Sequence, residues 1–342
     1  MIFLKQLFGD IFGPRDDVER VDIAKRFELY GRVGQGSMSK VWRAKDSHSG
    51  RIVAVKVLDY EKTLRLESRF VGMEKPTEGE IAMTLKHPHI VQTLEHGITT
   101  EDEQFLVMEY IEGVSLSFLI DMQNDLMKIK RLPFMIQLAE ALEFVHRQNW
   151  IHRDICPRNV LIPDADQQVK LIDFGLVVPN TVAFQAPGNR TGTAIYMAPE
   201  LIKRQRTDQR IDIFSYAVTC FEMFTKRLPW EGGETMEMVL RHINTPAEDI
   251  RKLCPEIDDQ VAETIMRGLK AHPDDRWPTM TEMLEPLREA HQRLGIPKLP
   301  EKTTASEPKK TAAPQVAQKP QPVEIKPDEW MFRPVEKKPE AE

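Results

Sequence analysis

Cysteine is scarce in this sequence: Cys156, Cys220 and Cys254 are the three in 342 residues. They lie too far apart for a paired framework and lack metal-ligand spacing, which suits a reducing compartment. Positive charge is not in excess either. Lys and Arg number 47 against 53 Asp and Glu, a formal net charge of −6, so no face is obliged to be strongly basic and no nucleic acid partner is expected. Long apolar runs are missing too, and none approaches the ~20 uncharged residues that span a bilayer. What remains is an ordinary globular composition, 41% hydrophobic and 29% charged, which excludes a wholly disordered chain and a collagen-like one. At ~150 residues per domain the length allows roughly two domains. A soluble, cytoplasmic protein is the expectation.

Residues 1–13 place Leu4, Leu7, Phe8 and Ile11 at helical spacing, interrupted by Lys5, Gln6 and Asp10. The pattern predicts a short amphipathic helix docked on its own domain; contact of residues 1–13 with a membrane surface or a partner is the alternative. Residues 15–26 are charged and balanced, as in an exposed linker, so 1–26 is set apart as an N-terminal segment. From Phe27 the runs FELYGRV, KVWRAKD and RIVAVKV read as successive antiparallel strands, with turns at Gly34-Gln35-Gly36 and His48-Ser49-Gly50. From about Leu132 helical patterns dominate. Pro133 suits a first helical turn ahead of Met135, Leu138, Ala139, Leu142 and Val145, and residues 211–225 and 261–269 are two further apolar helices. A strand-rich part followed by a larger helical one predicts an α+β protein in two lobes over 27–294. The tail, 295–342, is rich in Pro, Lys, Glu, Ala and Thr, and is expected to be disordered apart from a possible binding island at Trp330-Met331-Phe332.

Chemistry concentrates in a few clusters. Gly34-Gln35-Gly36-Ser37-Met38-Ser39 lies between two strands, whereas a dinucleotide-binding turn or a Walker loop feeds a helix. Its missing side chains would let backbone N–H groups approach phosphate oxygens. Lys56, in Ala54-Val55-Lys56 on the next strand but one, could supply a cation to the same phosphates. Asp154 and Asn159, in His152-Arg153-Asp154-Ile155-Cys156-Pro157-Arg158-Asn159, and Asp173, in Ile172-Asp173-Phe174-Gly175, offer oxygen ligands for a hard cation and a carboxylate able to take a hydroxyl proton.

With these segments in this order, the chain resembles the eukaryotic-type protein kinases, over roughly residues 27–294. The glycine loop looks more like that of bacterial serine/threonine members. The resemblance implies a two-lobed fold, ATP and Mg2+ as cofactors, and protein substrates bearing Ser or Thr hydroxyls. It assigns Val33, Gly34, Gly36 and Val41 to the loop over the nucleotide, with Ser39 in place of the third glycine. Lys56 would contact the α- and β-phosphates and pair with Glu78, nine residues before His87-Pro88-His89-Ile90-Val91. Gly72 and Pro76 interrupt the helix expected ahead of Glu78. Glu109 and Ile111 would meet the adenine edge through their backbones, with Met108 behind, Val41 and Ala54 above and Leu161 below.

By the same resemblance Asp154 is the catalytic base, and Asn159 and Asp173 hold the metal. Asp212 braces the catalytic loop, Glu200 pairs with Arg276, and Thr193 contacts Asp154. Arg153 next to Asp154 goes with control by phosphorylation, for which Thr191 is the first candidate and Thr181 and Thr193 the others, autophosphorylation included. One departure matters: Cys156 stands where serine/threonine members usually carry lysine. Arg158 is the cation expected to serve the γ-phosphate instead. The departure leaves open a pseudokinase scaffold and dual or tyrosine specificity.

Overall fold

In a computed structural model the alternating runs become strands β1 (Arg20–Val21), β2 (Phe27–Gln35), β3 (Ser39–Asp46), β4 (Ile52–Leu58), β5 (Thr93–Thr99) and β6 (Gln104–Glu109). They form one sheet in the order β1-β5-β6-β4-β3-β2, antiparallel except for the β1/β5 pair. The structure describes residues 19–35, 38–73, 75–187, 191–230 and 241–295. The helix expected over 1–13, Gly36, and the tail from residue 296 with Trp330, Met331 and Phe332 lie outside the described residues. Two compact units emerge: residues 19–73 with 92–110, and residues 75–91 with 111–295.

Period-two alternation gives the sheet an apolar face made of Trp42, Ala44, Val53, Val55, Val57, Phe105 and Val107. Ile23 and Phe27 complete this cluster, which corrects the expectation of an exposed linker for residues 19–26; residues 15–18 lie outside the described residues. Arg20–Val21 pairs with β5, and Asp22 caps a helical turn at Ile23–Arg26. The Arg26 guanidinium then forks onto both Glu95 carboxylate oxygens at 2.6 Å and reaches Asp46 at 3.1 Å. The charge balance seen in the sequence is therefore a fixed ion-pair network at this point. Gly34 and Gln35 also differ from expectation. They extend β2 and pair with Val41 and Lys40, because register shifts near Gly31 and Gly34 carry the strand past the expected turn.

In the second unit the helix Asp125–Arg147 starts eight residues before Pro133, so the proline sits inside it and not in its first turn. Asn124 accepts from Met127 N and fixes the earlier start; the buried stripe Phe134, Leu138, Leu142 and Val145 outweighs the single backbone bond that proline removes. The helices Arg210–Thr225 and Met280–Leu294 pack against it, and Asp259–Gly268 packs against those two. Gly268 permits the closest approach: a Cβ there would stand 2.7 Å from that of Ala217. Short strands β7 (Gly113–Ser115), β8 (Trp150–Ile151), β9 (Val160–Pro163), β10 (Lys170–Leu171) and β11 (Val178–Pro179) form a β10-β9-β7 sheet and a β11-β8 pair. Among the described residues, no helix is long and apolar enough to cross a membrane.

His242 is buried beside Trp230, with ring centroids 4.0 Å apart, and near Phe214. Burial pushes its imidazole down to about 4. Between about pH 6.5 and 4 the unfolded chain takes up a proton that the folded chain refuses, so this residue's contribution is whole above pH 6.5 and lost as the medium acidifies. Stability should fall by ~1.4 kcal/mol per pH unit from this residue in that window. Thermal melts from pH 7 to 5 check it: His242→Phe should flatten the acid slope, and an unchanged slope would place the titrating group elsewhere.

Candidate active site

The sheet's second face is set by register. Gly34 pairs with Val41, Val41 with Lys56, and Ala54 with Met108, so these five residues share the face opposite the apolar cluster. Lys56 is buried there, as is Ala54. Val33, one residue from Gly34, is about half exposed. At the end of β6, next to Met108, Glu109 gives its N–H to Gln92 O (2.9 Å) and accepts the Gln92 N–H at its carboxylate (2.8 Å). Gly34, Val41, Ala54, Lys56 and Met108 of the expected nucleotide set thus lie on one surface of the first unit. Ile111, Leu161 and Glu78 belong to the second unit.

The chemistry of the second unit centres on the loop after β8. Asp212, wholly buried near the start of the helix Arg210–Thr225, accepts from His152 N and Arg153 N at 2.7 Å each, and His146 Nε2 lies 2.9 Å away. Burial alone would raise the Asp212 carboxyl; the bond and charge of His146, the charge of His152 and the Arg153 N–H bring it below the usual range. The brace is needed because Arg153 adopts φ +72°, a left-handed conformation costly for a residue with Cβ. Burial pushes the His152 imidazole down, against the nearby charges of Asp212, Asp154 and Asp173.

Asp154 is held at both oxygens. Thr193 donates its N–H and hydroxyl to Oδ1 (2.8 and 2.7 Å), and Asn159 Nδ2 donates to Oδ2 (3.0 Å) and to the Asp154 carbonyl (2.8 Å). Gly192 allows Thr193 to come so close: its φ is +127°, and a Cβ there would lie 2.6 Å from Arg153 O. Asn159 O accepts from Ile172 N at 2.9 Å, which ties the loop to the Asp173-Phe174-Gly175 turn. Asp173 is exposed at φ +70°, and Gly175 N donates to its Oδ1 at 3.2 Å. The structure thus brings Asp154, Asn159 and Asp173 into one hydrogen-bonded region, with Glu78 Oε2 lying 3.1 Å from where a Gly175 Cβ would stand.

Cys156 is buried, with burial and the Asp154 charge pushing its thiol up, so it supplies no cation and little thiolate. Arg158 is exposed, and its charge acts on Cys156, Tyr196 and Glu222. The Tyr196 hydroxyl donates to Glu222 at 2.6 Å, a contact that sequence reading missed because the partners lie 26 residues apart on different elements. His146 on Asp212 was missed for the same reason. Arg276 forks onto Glu200 at 2.7 and 2.8 Å in a fully buried setting. Of the candidate phosphorylation sites, Thr181 is exposed and Thr191 half-buried, while the Thr193 hydroxyl is given to Asp154.

Comparison with known proteins places this geometry. Residues 27–287 match the family model described as a protein kinase domain. A probable serine/threonine-protein kinase of Clostridium perfringens is 31% identical over 265 residues, covering 77% of this chain and 38% of the relative. Serine/threonine-protein kinase PrkC of Bacillus subtilis is 28% identical over 264 residues, 76% of this chain and 40% of the relative. PknA of Corynebacterium glutamicum is 31% identical over 268 residues, 76% and 55%. The chain therefore spans about two fifths to about half the length of these curated relatives. With its braced Asp154 loop, its Asp173 turn and a family match over most of its length, the chain belongs to the protein kinase domain family.

Proposed function

We propose that this chain transfers the γ-phosphate of ATP to serine and threonine hydroxyls of proteins. The observation that carries the proposal is the fixed Asp154 carboxylate, held by Thr193 and Asn159 on a loop whose backbone is clamped by buried Asp212. Asp154 orients the acceptor hydroxyl and takes its proton as the hydroxyl oxygen bonds to the γ-phosphorus; the bond to the β–γ bridging oxygen breaks and ADP leaves. Lys56 holds the α- and β-phosphates, and Glu78 is the carboxylate that the family resemblance pairs with it. Val33, Gly34, Gly36, Val41, Ala54 and Met108 are the nucleotide residues of the first unit, and the family resemblance adds Leu161 from the second. Since the Glu109 N–H is given to Gln92, adenine is met there by the carbonyl, and by the backbone of Ile111.

The donor set fits Mg2+. Asp173 offers a carboxylate, and Asn159, whose Nδ2 is committed to Asp154, offers its amide oxygen, both hard ligands. Held by Asp173 and Asn159, the ion would supply positive charge to offset that of the transferring phosphates. Arg158 is proposed as the cation near the γ-phosphate in place of the lysine that Cys156 replaces, supported by its exposure on the same loop. Substrate proteins, autophosphorylation at Thr191, Thr181 or Thr193, and a cytoplasmic setting, which three buried free cysteines suit, belong to the same reading. A second reading, a scaffold without turnover, is favoured by the buried Cys156 alone.

The test is incubation with γ-labelled ATP, Mg2+ and casein, then acid hydrolysis. Label in phosphoserine or phosphothreonine is expected on casein or the chain itself. Label confined to phosphotyrosine, or none on either protein, would overturn the proposal.

A further inference from the structure

We infer that Thr77 and Glu80 are positioning residues that act through Glu78, their reciprocal cap holding its carboxylate beside the Asp173-Phe174-Gly175 turn. The inference rests on the kinase reading above, which gives Glu78 and Asp173 their roles.

Glu78 opens a helix of seven residues, Glu78–Thr84. Two turns of helix do not persist unaided in water, because nucleation fixes several residues for few bonds. The chain cannot lengthen this helix backwards. Pro76 stands two residues ahead of it, Gly72 adopts φ +78°, and the preceding helix Tyr60–Glu67 has already ended in a 3-10 turn at Ser68–Phe70. Glu78 therefore sits in the end turn, where fraying begins, although the function assigned to it requires a fixed position.

Thr77 and Glu80 close that end. Glu80 Oε2 accepts from Thr77 N at 2.7 Å and from the Thr77 hydroxyl at 2.9 Å, and Thr77 Oγ1 accepts from Glu80 N at 3.3 Å. Ile81 N adds a bond to Thr77 O at 3.1 Å. Ile81, Ala82 and Leu85 bury the helix's inner face, so the rotation of the first turn is set by packing and its closure by the cap. Thr77-x-x-Glu80 is also legible in the sequence as a capping motif.

The space the cap secures is narrow. A Cβ on Gly175 would stand 3.1 Å from Glu78 Oε2 and 3.4 Å from Asp173 Oδ1, so two carboxylates flank the same glycine. Like charges so near each other repel, and the first turn of Glu78–Thr84 is what keeps one of them in place. When the turn opens, Glu78 swings away from Asp173, and the phosphate-binding lysine loses its proposed partner.

The test uses the full chain and four variants: Thr77→Ala, Glu80→Ala, Thr77→Ser and Glu80→Gln. Serine and glutamine can rebuild both halves of the cap. The alanine variants should lower kcat about fivefold, the rate equivalent of one cap. They should leave the melting temperature within about 3 °C and speed hydrogen exchange over residues 78–84. The serine and glutamine variants should restore both readouts. Faster exchange with unchanged kcat would overturn the inference, as would a kcat loss that serine and glutamine fail to repair. Should the wild-type chain show no transfer at all, the kinase reading fails and exchange alone decides: unchanged protection over residues 78–84 in Thr77→Ala would overturn the positioning claim too.

Discussion

Asp212→Ala is expected to melt roughly 10 °C below the wild type and to lose phosphoryl transfer. The carboxylate accepts from two buried backbone N–H groups and sits 2.9 Å from His146 Nε2. Hydrogen bonds to a charged acceptor are worth about 1.5–3 kcal/mol each, and the donors left behind have no water to turn to. A net loss of ~4 kcal/mol, at about 2–4 °C per kcal/mol for a domain of this size, gives the expected shift. Activity falls with stability because the brace holds Arg153 at φ +72°, and Asp154 follows it in the chain. Asp212→Asn keeps one acceptor oxygen but turns an N–H toward a second donor, so an intermediate loss is expected. A melting temperature within 2 °C of wild type for the alanine variant would show that the loop holds its shape by other means.

Arg276→Ala should cost about as much. Its guanidinium forks onto Glu200, and further bonds run to the carbonyls of Lys270 (2.7 Å), Ala271 (3.0 Å) and Arg210 (3.1 Å). The ring of Phe214 lies 4.8 Å from the cation. Breaking a buried pair from one side leaves an uncompensated charge, typically ~3–5 kcal/mol. Removing both charges is different. Glu200→Gln with Arg276→Met should recover part of the loss, since neither partner is then stranded. Denaturant melts of the two single variants and the double decide it, and strict additivity would show that the pair is not coupled.

The sequence declared its candidate catalytic loop more clearly than its folding details, for physical reasons. Asp154, Asn159 and Asp173 carry chemistry that few other residue types supply, and Thr193, Asp212 and the Glu200–Arg276 pair were found where the resemblance expected them. The strands β2 to β4 followed from alternation, because one face must be apolar and the other is not. Pro133 misled because proline favours a first turn, whereas here the Asn124 cap and the buried stripe from Phe134 to Val145 outweigh the cost of a proline inside the helix. Residues 20–26 misled because a balanced charge run looks solvated until its partners, Glu95 and Asp46, arrive from distant strands. The Tyr196–Glu222 bond and the His146 contact join elements remote in sequence, and no local pattern encodes them.

Label transfer from γ-labelled ATP to casein by the wild-type chain and by Asp154→Asn, at matched folded concentration, tests the central claim most directly. Asparagine keeps an oxygen for Thr193 but cannot take the hydroxyl proton, so the variant should melt within about 3 °C of wild type and transfer on the order of 100-fold or more slowly. Equal transfer by the two proteins would contradict the assignment of Asp154 as the base and, with it, the proposed mechanism.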